Sequence, residues 1–316
     1  MASYRSRLTK PVGRWAEILF HAATFVAALS VLAILLAILL SLTWSSLPIF
    51  LRQGLSFFTS TTWDPIQEVF GALPSIYGTL ITSFIAMLIA IPVSFGIALY
   101  ITEICPRRLR QPLSVAIQLL AGIPSIIYGM WGLFVFAPTF ANHIVPLLQP
   151  WTTIPFVGPM LEGPPLGIGL LPAGIILGIM VIPFISSVMQ DVFRIVPSVL
   201  KESAYALGCT TWEVLWKVIL PYGRVPVVGG VMLGLGRALG ETMAVTFVVG
   251  NAHMLTQSLL MPGTTLSATL ANEVAEAAGL HRAALFALGL TLFILSFCVL
   301  SFAKWMLARA EIKNGH

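Results

Sequence analysis

Between Ile18 and Trp44 the chain runs apolar with few interruptions, and five further apolar stretches follow it. About 20 apolar residues cross the hydrocarbon core of a bilayer. The six candidate spans fall at roughly 17–44, 74–101, 113–137, 168–190, 223–250 and 282–308. Composition agrees, with 58% hydrophobic residues, 9% charged residues and a mean hydropathy of +0.94. Soluble domains carry roughly a quarter charged residues, so this chain cannot clothe a surface that faces water. The expectation is an all-α membrane protein with six transmembrane helices.

The basic residues orient those spans. Arg5, Arg7, Lys10 and Arg14 precede the first one, as in a signal peptide, but the apolar run that follows far exceeds the roughly 7–15 residues of a signal core. A retained helix is predicted. Six spans put both termini on one side, and fourteen of the 17 Lys and Arg fall there: the four above, Arg107, Arg108, Arg110, Arg194, Lys201, Lys217, Arg224, Lys304, Arg309 and Lys313. Arg52 and Arg282 lie opposite, and Arg237 lies inside a span. The positive-inside rule then makes both termini cytoplasmic. The net charge of +5 follows membrane topology and does not suggest nucleic-acid binding.

Other residues carry less. Cys105, Cys209 and Cys298 are too few for a disulfide framework and have no metal spacing. His21, His143, His253 and His281 read as interfacial or loop residues. Glu103, at the inner end of the second span, reads as a solvated end-charge rather than as a gate. Pro92 and Pro124 suggest kinks. The aromatic segment 45–73 suits the bilayer interface, and 138–167, crowded with proline and glycine, is expected to be an ordered loop without a helix.

The loop 191–222 is the most informative segment. Ser198 is positioned to cap a helix after Pro197, and Gly208 to end it. Thr210 or Thr211 is positioned to start a second helix, with Glu213 in its first turn and Pro221 as its stop. Two short helices bearing exposed small and apolar residues are predicted.

This loop resembles the cytoplasmic motif of bacterial ABC importer permeases: Glu-Ala-Ala, three residues, Gly, nine residues, Ile-x-Leu-Pro. Glu202, Ala204, Gly208, Leu220 and Pro221 match it, while Ser203 and Val218 depart mildly. Stretches at Gly71–Leu80, Ala121–Gly129, Thr211–Glu213 and Gly236–Val245 look like the phosphate-specific PstC branch of the binding-protein-dependent importer permeases, more than its PstA sister branch. The resemblance covers about residues 60–308.

The resemblance implies the type I (MetI-like) importer fold, five core helices plus an N-terminal one. It divides the chain into residues 1–70 (N-terminus, first helix and outer segment), a transmembrane domain at 71–309 containing the coupling loop 191–222, and a tail at 310–316. Glu202, Ser203, Ala204, Gly208, Leu220 and Pro221 become the surface that docks on an ATPase. The implied partners are a PstA-like sister permease, two copies of a PstB-like ATPase and a PstS-like binding protein, in the lipid of a bacterial inner membrane. The chain has no glycine-rich phosphate loop of the P-loop type. ATP therefore belongs to the partner, and the chain is expected to be non-catalytic, with no cofactor or metal of its own.

Arg237 and Glu241, four residues apart in the fifth span, are expected to share a helix face and pair. Charges at that depth are costly and face a bundle interior or a wet cavity. One reading makes Arg237 a forked donor to a passing oxyanion, with Glu241 holding it or competing as a gate. The other makes the pair a structural staple. Gly230/Gly234 and Gly236/Gly240 have the small-xxx-small spacing that brings helices close, within the chain or against a sister permease. Alternatives to a phosphate importer are a permease for molybdate or sulfate, and an ATP-independent secondary transporter, which leaves the 191–221 loop without a purpose. An intramembrane enzyme would need clustered His, Asp, Ser or Cys at membrane depth, which the sequence does not offer.

Overall fold

A computed structural model describes residues 14–155 and 158–313. The basic residues Arg5, Arg7 and Lys10, and the tail residues 314–316, lie outside the described residues. Six helices are long and apolar enough to cross a membrane. In chain order the principal elements are α1 (Arg14–Gln53), β1 (Trp63–Asp64), β2 (Val69–Phe70), α2 (Leu73–Ile104), α3 (Arg107–Ala121), α4 (Ser125–Thr153), α5 (Leu170–Ile195), α6 (Ser198–Ala206), α7 (Thr211–Leu239), α8 (Met243–Val249), α9 (Leu266–Glu273) and α10 (Gly279–Lys313).

The core is the pairing of α2 with α5, against which α7 and α8 pack. Glycine sets these distances. A Cβ on Gly174 would sit 2.8 Å from Ile85 Cβ, and one on Gly178 3.2 Å from the Ala86 carbonyl oxygen. The two glycines thus form a small-xxx-small seam along which α5 lies close to α2. Ser94 Oγ fastens the seam, donating to the Ile182 carbonyl at 3.0 Å. The first helix is peripheral, lying along α10, and none of its most apolar stretch is buried within the chain. Its far end is not peripheral: Ile49, with Phe57 and Phe70 of the segment that follows, is fully buried in a second core with Leu266 and Leu288. The hairpin β1–β2 lies in this region, turned by Asp64, whose Oδ1 accepts from the Ile66 and Gln67 amides.

Three boundaries differ from the sequence expectation. The third span does not run from 113 to 137. A basic amphipathic helix, α3, ends at Gly122-Ile123-Pro124, and the span begins at Ser125. Pro124, with no N–H and a fixed φ, starts a helix better than it continues one. The segment 138–167 is not free of helix either, because α4 continues through it to Thr153, with π turns at Gly132–Phe136 and Phe140–Ile144. Pro221, finally, does not stop its helix. A π turn at Leu215–Ile219 directly precedes it, and the widened turn accommodates a ring that would otherwise meet the preceding carbonyls. One continuous helix runs from Thr211 to Leu239.

Candidate functional site

The fifth span is broken where its charges lie. Helix α7 ends at Leu239, capped by the Gly240 amide on the Gly236 carbonyl, and α8 starts at Met243. Arg237 therefore occupies the last turn of one helix and Glu241 precedes the first turn of the next. The expected pairing on one helix face does not form: among the described residues neither Arg237 nor Glu241 belongs to an ion pair. Each charge is stabilised by a different helix end. The C-terminal carbonyls of α7 favour the guanidinium, while Glu241 Oε1 accepts from the Ala244 amide at 3.3 Å in the first turn of α8.

Arg237 is exposed on the chain and stands over the Phe184 ring, 5.7 Å from its centroid. Phe184 is near the midpoint of α5, so the guanidinium stands level with the middle of that span. The break is pinned from the other side by Ser267 in the first turn of α9, whose Oγ donates to the Glu241 carbonyl at 2.6 Å. The opposite end of α9, Glu273, belongs to the polar cluster described below, so this helix runs from the break towards the end of the bundle away from Lys201. Close packing of α8 on α4 depends on Gly129, where a Cβ would come 2.9 Å from the Met243 carbonyl oxygen.

The four glycines predicted to pack helices divide in use. Gly230 faces Val188, 2.8 Å from a built Cβ, and Gly234 faces Ile185, so both seat α7 on α5 within the chain. Gly236 meets Leu300 of α10 at ordinary van der Waals distance, and exposed Gly240 is a helix end.

At the basic end of the bundle, α6 and the start of α7 form the predicted pair of helices. Gly208 ends α6 in the left-handed region, φ +84°, with its amide on the Tyr205 carbonyl. A side chain there would meet nothing within 4 Å. Thr210 caps α7 in a reciprocal box with Glu213. Ser198 caps nothing: α6 begins directly after Pro197 without a side-chain cap. Glu202, Ser203 and Pro221 are exposed and Leu220 is partly covered, whereas Ala204 turns inward to the core. The outer face is apolar, with Leu207 86% exposed and Val199, Trp212 and Trp216 beside it.

Two further charge clusters escaped the sequence reading. Glu103 is not a solvated end-charge: it accepts from Lys201 Nζ at 2.6 Å, with both side chains largely buried. At the opposite end Glu273 gathers three donors: Trp63 Nε1 at 2.9 Å, His253 Nε2 at 2.9 Å and His281 Nε2 at 2.7 Å. His253 stacks on Trp63 and His281 on Phe70. Burial pushes the Glu273 carboxyl up, but the bonds from His253, Trp63 and His281 and the charge on His253 outweigh it, so its pKa lies below the ordinary 4.5. No grouping of His, Cys, Asp and Glu among the described residues has the arrangement of a metal site.

The fold is that of an importer permease. The crystal structure of a bacterial alginate ABC transporter in complex with its alginate pentasaccharide-bound periplasmic protein matches at a TM-score of 0.62 and 18% identity, over 94% of this chain and 98% of that one. A family model described as "Binding-protein-dependent transport system inner membrane component" matches residues 91–312. The phosphate transport system permease protein PstC of Mesorhizobium japonicum is 53% identical over 100% of this chain and 98% of its own. The protein of the same name from Xylella fastidiosa strain 9a5c is 55% identical over 95% of this chain and 93% of its own. The chain belongs to the binding-protein-dependent inner membrane permeases and, within them, to the PstC family.

Proposed function

We propose that this chain is the permease subunit of an ATP-driven phosphate importer and forms half of its path across a bacterial inner membrane. The observation that carries the reading is Arg237, a guanidinium level with the middle of α5 and with no carboxylate partner among the described residues. An open cation there is costly. It suits a path whose cargo is an oxyanion able to take a forked pair of hydrogen bonds. Glu241, two residues past the end of α7, competes for Arg237 when the path is empty and yields it to phosphate. The basic end of the bundle and both termini are cytoplasmic. Residues 1–70 act as an addition to the transmembrane domain at 71–309, and 310–316 is a cytoplasmic tail.

The exposed face made by Glu202, Ser203, Gly208, Leu220 and Pro221 docks in a groove of the ATPase, with Ala204 holding α6 to the core behind it. A PstB-like pair of ATPases binds and hydrolyses ATP, and this chain carries no cofactor. A PstA-like sister permease supplies the other half of the path, with Gly236 and Gly240 at or near the contact. A PstS-like protein delivers phosphate from outside. The test is co-purification with these neighbours, followed by uptake into vesicles of phosphate, molybdate and sulfate in competition. Phosphate uptake dependent on ATP, unaffected by the other two, is expected. Preferential uptake of another oxyanion, or uptake without ATP, overturns the reading.

A further inference from the structure

Lys201 is the fourth residue of α6, and its side chain turns away from the face assigned above to ATPase docking. Its Nζ makes two contacts at the basic end of the bundle. One is the ion pair with Glu103, at 2.6 Å, in the π turn Tyr100–Ile104 that closes α2. The other is a hydrogen bond of 3.0 Å to the Phe193 carbonyl in the last turns of α5. The side chains of Lys201 and Glu103 are only 16% and 9% exposed. A pair this buried is weak evidence for stability, because desolvation offsets most of its attraction. Its placement is more informative: it joins a short helix that otherwise rests on apolar contacts to the ends of the two spans that form the core. A π turn is also a place where a helix departs from its regular ladder, often at a functional site. Cys105-Pro106 follows immediately, before α3 changes direction.

We infer that Lys201 is a positioning residue that couples α6 to α2 and α5, so that movement imposed on α6 by the ATPase reaches both spans as one body. The inference rests on the importer reading above. Without this contact, α6 would be joined to α5 only by the short link Val196-Pro197 and apolar packing, and would have no polar contact with α2. Lys201 grips a carboxylate on one span and a carbonyl on the other, and the seam at Gly174 and Gly178 already holds those spans together. The pulling point and the load are therefore directly connected.

The experiment uses the full transporter complex reconstituted in vesicles, measuring phosphate moved per ATP hydrolysed. Lys201→Met and Glu103→Gln are each expected to lower that ratio about tenfold, with the ATPase still co-purifying. The double variant is expected to be no worse than either single, because both remove one contact. Lys201→Arg, which keeps the charge, should retain assembly and most of the ratio. A wild-type ratio in the singles overturns the inference. So does a double loss equal to the product of the single losses, roughly a hundredfold. Failure of the singles to assemble with the ATPase also overturns it, since the pair would then serve the fold alone. The wild-type complex tests the underlying reading separately: absence of ATP-dependent phosphate uptake there sinks the importer, whatever the variants do.

Discussion

Glu273 and Arg237 are both ionic groups in an apolar bundle, and the chain treats them oppositely. Around Glu273, donors from the hairpin, from the segment after α8 and from α10 converge on one carboxylate, 2.7–2.9 Å away. They tie together segments up to 210 residues apart in sequence. Around Arg237 the nearest candidate carboxylate, Glu241, is turned to cap the next helix. The difference separates two uses of charge. A group whose hydrogen bonds are all met by the chain fixes the fold. A group that the chain leaves open is available to something that arrives.

That contrast predicts different failures. Arg237→Gln should reduce phosphate uptake about 100-fold or more while the complex still assembles. The loss corresponds to one or two charge-assisted hydrogen bonds of about 1.5–3 kcal/mol each. Wild-type uptake in that variant would erase the distinction and leave Arg237 a structural residue. Gly208→Leu should leave membrane insertion intact but reduce recovery of the ATPase with the complex about tenfold, equivalent to about 1.4 kcal/mol of docking. Normal recovery and transport would remove the docking surface from α6.

Glu273→Gln should do the reverse of the Arg237 change, lowering thermal stability by about 2 kcal/mol while uptake per assembled complex stays near wild type. The same group gives a pH dependence. Its folded pKa lies below the ordinary 4.5, so its stabilisation is complete above that value and is lost as pH falls through the lower, folded one. A thermal scan in detergent from pH 7 down to 3 measures it; no steepening in the acid limb relative to Glu273→Gln would argue against the assignment. Smallest of all, Trp63→Phe removes a single donor and should cost about 1 kcal/mol. A larger loss would mean that the stack on His253 matters more than the hydrogen bond.

Hydropathy alone revealed that there are six spans, because each holds a long apolar run, although it misplaced the third and fifth. The pair of short helices at the basic end was legible too, since Gly208 and the Thr210/Glu213 box are local signals. The break in the fifth span was missed, although Gly240-Glu241-Thr242 has the form of a helix end followed by a new start; the apolar residues on either side made the stretch look continuous. Pro221 misled in the opposite direction, because a π turn is not visible in residue types. The contacts of Glu103 and Glu273 were beyond local reading altogether. Their partners are 98 and 8–210 positions away, and nothing in the intervening sequence marks them.

The continuity of α7 has a mechanical meaning. It is a single shaft with the proposed docking surface at one end and Arg237 near the other, and an α-helix advances about 100° per residue. Phase along the shaft is therefore fixed by the number of residues between the two ends. Adding one residue between Pro221 and Arg237 would swing Arg237 by about 100° relative to the proposed docking residues. The angular position of the guanidinium is thus set by the length of the helix that carries it, as well as by its chemistry.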